Sequence, residues 1–198
     1  SQGEIHFGPF KCRDSGGGRV VSYFRVLRNY HVDKDPTMAI RPAFSLQTWI
    51  EEHRHLLKPP VGNAKVYEDT EFIVMIVGGP NARKDYHYNE GEEFFYQIEG
   101  DVTVKIIDDG EPRDIHIKQG DIFLLPPRTP HSPQRPANTV GLVIERKREA
   151  VELDAFMWFC ESCGTKLYEE FLPLTDIVTQ LPPIFERFWG DLDRRTCK

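Results

Sequence analysis

Between Phe72 and Glu145 the chain is a succession of short β-prone runs. Phe72–Val77, Glu93–Ile98, Val102–Ile107, Asp114–Ile117, Ile122–Leu125 and Val140–Glu145 are rich in Val, Ile, Phe and Tyr, and Gly, Pro, Asn or Asp separates them. Alternation within a run, as in Val102-Thr103-Val104-Lys105-Ile106, sends neighbouring side chains to opposite faces of a sheet. Asp108-Asp109-Gly110 and Lys118-Gln119-Gly120-Asp121 supply turn chemistry. No long helical period lies between the runs, so the crossovers that parallel strands need are missing. The strands are therefore expected to meet antiparallel, as a sandwich or small barrel.

The flanks read differently. Ser45 stands as an N-cap before Leu46, Trp49, Ile50 and His53, which share one helical face, and Lys58-Pro59-Pro60-Val61-Gly62-Asn63 ends that helix in a loop. Residues 1–37, with Gly16-Gly17-Gly18 and no sustained period, are expected to be an appended leader or flexible extension, with Met38 as the natural start; a native extension with a short strand at Val20–Leu27 is the alternative. Residues 38–150 then form the barrel. After about residue 150 the pattern loosens and prolines return, so residues 151–198 are expected to be a tail, with short helices at Ile177–Leu181 and Ile184–Trp189.

Composition narrows the function. Of 198 residues, 25 are Lys or Arg against 31 Asp or Glu, a net charge of −6, which argues against nucleic acid or an anionic membrane as the main partner. With 39% hydrophobic and 12% aromatic residues the chain has enough apolar surface for a packed core. Its longest purely apolar run, Phe72–Val77, is far short of the ~18 residues that span a bilayer. The N-terminus lacks a positive segment followed by an apolar core, so no secretory signal is expected. Cys12, Cys160, Cys163 and Cys197 are too few and too unevenly placed to staple a secreted scaffold, and a reducing cytoplasm is the expectation.

Two histidines and an acid flank the strand runs: His87 and Glu93 where one run begins, and His131 shortly after Ile122–Leu125. Two neutral imidazoles and one carboxylate leave coordination positions open, which suits ferrous iron binding both an organic chelate and dioxygen; closed four-ligand structural sites leave no such room. Of the neighbouring acids, alternation turns Glu92 away when Glu93 faces the metal. His53, His55 and His116 are assigned structural or solvent-facing places, Phe94, Phe95 and Tyr96 mostly core packing, and Asp85 either a turn or a bond to an arginine or a ligand.

The spacings His87-x5-Glu93-x6-Gly100 and Gly120-x5-Pro126-x4-His131 resemble the paired motifs of the cupin barrel, a double-stranded β-helix of jelly-roll type. The usual first motif has His-x-His where this chain has His87-Tyr88-Asn89, which favours three protein ligands over four. Lys58-Pro59-Pro60-Val61-Gly62-Asn63, Val77-Gly78-Gly79-Pro80-Asn81, Glu92-Glu93-Phe94-Phe95-Tyr96-Gln97, Gly120–Pro127 and His131-Ser132-Pro133-Gln134-Arg135-Pro136, taken together, are similar to the 3-hydroxyanthranilate 3,4-dioxygenase family, from about Ser45 to Cys197.

That resemblance implies ring opening of 3-hydroxyanthranilate by Fe(II) and O2, with His87, Glu93 and His131 as iron ligands. It implies Arg83 and Arg135 for the substrate carboxylate, Glu145 as the acid near its amine and hydroxyl, Asn63 on a mobile cover, and a homodimer. Cys160-x-x-Cys163 with Cys197 resembles three quarters of a rubredoxin-like site for a second Fe or Zn. Two rival readings are another mononuclear Fe(II) cupin dioxygenase for a different carboxylated aminophenol or catechol, and a non-catalytic cupin that binds a ligand.

Overall fold

The computed structural model describes residues 40–59, 62–81 and 83–197. The expected leader, Cys12, and Pro60 and Val61 of the expected cover loop lie outside them.

Helix α1 (Leu46–His53) begins where the Ser45 hydroxyl accepts the Thr48 N–H at 3.2 Å. Its fully buried Ile50 packs with Leu57, Ile76 and Val140. His53 ends it, stacked on Trp49 with its Nδ1 2.8 Å from the Trp49 carbonyl, a structural place as expected.

The strands are β1 (Asn63–Lys65), β2 (Phe72–Gly78), β3 (Tyr86–Tyr88), β4 (Glu93–Glu99), β5 (Val102–Asp108), β6 (Glu111–Ile117), β7 (Ile122–Leu125), β8 (His131–Gln134), β9 (Val140–Arg146), β10 (Asp154–Phe159) and β11 (Lys166–Leu172). They form two antiparallel sheets, ordered β1-β2-β9-β4-β7 and β11-β10-β3-β8-β5-β6, the expected jelly-roll. Phe95, Leu125 and Val143 from the first sheet meet Val102, Val104, Ile106 and Ile117 from the second in one buried core. Each such side chain contributes about 1.5–3 kcal/mol relative to exposure. Along β4 the alternation that turns Phe95 inward also turns Glu93 and Gln97 inward and leaves Tyr96 outside. The core therefore takes one aromatic of the Phe94-Phe95-Tyr96 set.

The C-terminal segment carries helix as expected, α2 (Ile177–Trp189) and α3 (Leu192–Arg195). Before them, however, come two strands that the expected tail did not include. β10 pairs with β3 and β11 pairs with β10, so a boundary at residue 150 cuts through the six-stranded sheet. β10 escapes a period-2 reading because five of its six residues are buried, leaving no polar alternation to see. The two expected helices are one: α2 runs unbroken through Pro182 and Pro183. The apolar face of α2 offsets the missing amide donors, with Ile184 and Phe188 buried against Phe156 and Trp158 of β10. Among the described residues no helix is long and apolar enough to cross a membrane.

Candidate active site

Sheet register assembles the three expected metal ligands. His87 of β3 and His131 of β8 are directly opposite each other, their ring centroids 5.3 Å apart. Glu93, the first residue of β4, projects toward them from the facing sheet, while Glu92 is exposed. One ligand atom from each of the three lies within 4.8 Å of the other two.

The hydrogen bonds around this trio fit a cation. The Nδ1–H of His131 donates to the Thr129 carbonyl at 3.0 Å, which turns Nε2 toward Glu93 Oε2 at 2.9 Å. That carboxylate oxygen is buried and, among the described residues, has no hydrogen-bond donor. In the neutral imidazole, two lone pairs therefore face each other in a medium that strengthens their repulsion, and a divalent cation between such donors removes it. Without a cation the alternative is to protonate His131. Burial alone would lower that imidazole, but Glu93 raises it by charge and hydrogen bonding; Glu93, which burial would raise, is held below the usual carboxylate range by His131 and then His87.

The two expected substrate arginines differ in their pairing. Arg83 donates to Asp85 through Nη2 and Nε, so the aspartate serves as an arginine partner; burial opposes the charge of Arg83, and Asp85 and then Glu93 sustain it. Arg135 is 2% exposed; among the described residues its guanidinium donates one bond, from Nη1 to Gln97 Oε1 at 3.3 Å, and its Nε finds no acceptor. Burial pushes it down to about 10, with the Glu93 charge opposing. Its backbone is fixed by Asn81, whose side chain accepts the Arg135 N–H at 2.8 Å and whose own N–H reaches the Arg135 carbonyl at 2.9 Å. Gly141 makes room for the guanidinium: a Cβ there would stand 2.7 Å from Nη1 and 2.9 Å from Gln97 Oε1.

Glu145 of β9 lies directly across from Glu93 and is buried. It accepts from Asn89 Nδ2 at 3.3 Å and pairs with Arg148 Nη1 at 2.9 Å, rather than with Arg146, which binds Glu152. Burial and the Glu93 charge push its carboxyl up, and Arg148 works against them. The six residues expected around the reaction thus share one electrostatic neighbourhood centred on Glu93.

Other contributors were not anticipated. Asp154, fully buried at the start of β10, lies 2.6 Å from His87 Nε2 and also binds Arg148; Phe156, two residues on, stacks against the His87 ring. Nothing local marks Asp154, because its partner is 67 residues away in sequence. Gln97 was legible in principle, since it shares the inward phase of Glu93 and Phe95. Asn63 falls in β1 opposite Val77, three strands from Glu93 in its sheet order.

The three cysteines also converge, with one Sγ from each within 4.8 Å of the others and Cys163 Sγ 3.4 Å from Cys197 Sγ. Gly164, at φ +74°, turns the chain so that its N–H reaches the Cys160 carbonyl at 2.9 Å and the Cys160 N–H reaches Thr165 at 2.8 Å.

Comparison with known proteins agrees with this architecture. The sequence model described as 3-hydroxyanthranilic acid dioxygenase matches residues 38–189. A 3-hydroxyanthranilate 3,4-dioxygenase of Xanthomonas oryzae pv. oryzae is 58% identical over 156 residues, 79% of this chain and 88% of the relative. One of Xanthomonas euvesicatoria pv. vesicatoria is 56% identical with the same coverage, and one of Jannaschia sp. is 53% identical over 161 residues, 81% of this chain and 89% of the relative. On the family match and these identities, the chain belongs to the 3-hydroxyanthranilic acid dioxygenase family.

Proposed function

We propose that this protein cleaves the ring of 3-hydroxyanthranilate with dioxygen, giving 2-amino-3-carboxymuconate semialdehyde, the precursor of quinolinate, at a ferrous centre held by His87, Glu93 and His131. The observation that carries the reading is the juxtaposition of that buried trio with Arg135, a buried guanidinium within reach of the Glu93 charge that, among the described residues, has an amide partner and an unfilled Nε but no paired carboxylate. Relatives at more than half identity bear the corresponding name.

Bound Fe(II) would supply Lewis acidity toward the adjacent amino and hydroxyl groups of the substrate and a coordination position for dioxygen. The rest falls to the chain. Arg135 is already desolvated, so a carboxylate entering beside it gains a charge-assisted bond that Gln97 does not provide. Arg83 adds a second cation, held in place by Asp85. Together they fix which edge of the ring faces the trio, and fixing the reacting atoms is itself a large part of the acceleration. Glu145 takes the hydroxyl proton; its burial and the charge of Glu93 make it a stronger base than a surface glutamate, and Arg148 keeps it ionised enough to act. Phe156 against His87 and Phe95 near His131 give the chamber an apolar wall that limits water.

The cysteine cluster has a separate role in this proposal: Cys160, Cys163 and Cys197 hold a second Fe or Zn that stabilises the C-terminal segment. Reduced thiols at that cluster suit a cytoplasmic setting.

The direct test is O2 uptake with 3-hydroxyanthranilate, with and without Fe(II), before and after His87→Ala. Iron-dependent uptake that disappears in the variant is expected; full activity in the variant would remove His87 from the ligand set. Equal turnover of 2-aminophenol, which lacks the carboxylate, would dismiss the arginine roles.

A further inference from the structure

Resting on the reading of His87 as a metal ligand, we infer that Asp154 is a positioning residue that fixes the His87 tautomer, so that His87 presents Nδ1 to the metal while His131 presents Nε2. Asp154 stands at the head of β10. It is a carboxylate with no solvent exposure, and Arg148 grips it through Nε at 3.0 Å to Oδ1 and through Nη2 at 2.8 Å to Oδ2. Held ionised by that fork, it has only lone pairs to offer. The 2.6 Å contact between its Oδ2 and His87 Nε2 therefore requires the proton on Nε2, and a neutral imidazole then carries its free lone pair on Nδ1.

His131 has the opposite arrangement. Its acceptor-only partner is the Thr129 carbonyl at Nδ1, so the proton sits there and Nε2 carries the lone pair toward Glu93. The two imidazoles face each other across β3 and β8 in different tautomers, each set by an acceptor outside the trio. Arg148 has a further consequence, because its Nη1 binds Glu145 at 2.9 Å. One guanidinium therefore holds both the acid that orients a metal ligand and the acid assigned to the substrate proton. Phe156, stacked on His87 at a 5.2 Å centroid distance, limits ring rotation and so preserves the arrangement.

The test starts with the unaltered, metal-free protein labelled with nitrogen-15 in its histidines. Ring nitrogen–proton correlation spectra separate the two tautomers, and the signals lost in His87→Gln and His131→Gln assign them. An Nε2–H with a bare Nδ1 is expected at His87, and an Nδ1–H at His131 whether or not its Nε2 has also taken a proton beside Glu93; Nδ1–H at His87 would overturn the inference. The second arm measures Fe(II) affinity by anaerobic chelator competition in Asp154→Asn, which keeps an acceptor oxygen, and in Asp154→Ala, which removes it. The expected losses are roughly tenfold for Asn and toward 100-fold for Ala. Affinity within about twofold of the parent in the folded variants would overturn it, and if the Ala variant does not fold, the Asn variant and the spectra decide. Full iron affinity in His87→Ala would instead sink the ligand reading beneath the inference, so the two failures are separable.

Discussion

His87, Glu93 and His131 come from three strands in two facing sheets, whereas Cys160 and Cys163 share one turn and Cys197 arrives just beyond a short helix. Both sets offer three donors, but their surroundings differ. Around the histidines, the second nitrogen of each ring already has an acceptor, a charged network fills the space behind them, and the trio is largely buried. The cysteines lie at the surface, and the turn at Gly164 supplies most of their local order. Sheet register fixes donors tens of residues apart because every neighbouring pair is constrained at once. A turn fixes only its own few residues, so the third cysteine depends on how the chain end packs.

The comparison makes a graded set of predictions. The largest effect should come from Glu93→Gln, which removes the negative charge of the trio proposed to hold the metal. Several kcal/mol of stabilisation at the reacting centre should be lost, on the order of a thousandfold or more in turnover, together with bound iron. Cys163→Ser should leave O2 uptake within about twofold while lowering metal content by one equivalent on elemental analysis. Equal loss of activity in both variants would end the division of labour between the clusters.

Next in size is Arg135→Met, expected to cost about 2–5 kcal/mol in kcat/KM for 3-hydroxyanthranilate and far less for 2-aminophenol. Steady-state kinetics on both substrates reads the difference. Gly141→Ala should reach the same arginine from behind, since the added methyl meets Nη1 and Gln97; a loss of about 1–3 kcal/mol, in stability or in carboxylate recognition, is expected.

A smaller change is predicted for the pH profile. Arg148 opposes the burial and the Glu93 charge that raise Glu145, so Arg148→Gln should raise that carboxyl further. The acid limb of kcat/KM, where the base becomes protonated, should then move to higher pH. An unmoved or lowered limb would separate Glu145 from the proton transfer.

The mildest effect concerns the cysteines themselves. Hydrogen bonding from Thr165, then the neighbouring thiols, holds Cys163 down to about 7, while Cys163 and Cys160 push Cys197 up to about 11. In metal-free protein near neutral pH, iodoacetamide should label Cys163 ahead of Cys197, as peptide mapping by mass would show. The reverse order would mean that the thiolate resides elsewhere in the cluster.

How much of this was legible depended on whether a residue's partner was near it in sequence. Ser45 and its helix were readable because a cap acts three residues ahead, and β2, β4, β5, β6, β7 and β9 were readable because one side of each meets water or another layer, whereas β1, β3 and β8, three or four residues each, are too short to show a period and were not read as strands. His87, Glu93 and His131 were readable through fixed spacings within a known pattern. β10 was not, since burial of Asp154 to Trp158 erases the polar alternation that marks a strand. Asp154 was doubly hidden: an acid at the head of an apolar run looks like a turn, and only the pairing of β10 with β3 brings it to His87. The prolines of α2 likewise suggested a break that apolar packing against Phe156 and Trp158 overrides.

The location of Phe156 and Asp154 on the tenth strand has a practical side. Anyone trimming this gene to its most barrel-like portion would discard the aromatic ring stacked on His87 along with the carboxylate bonded to the same imidazole. What remains would keep every ligand and both guanidinium groups, yet its first histidine would be free to swivel. Libraries meant to retune the enzyme should therefore reach past the ligand strands, into β10 beside His87 and the helix packed on it.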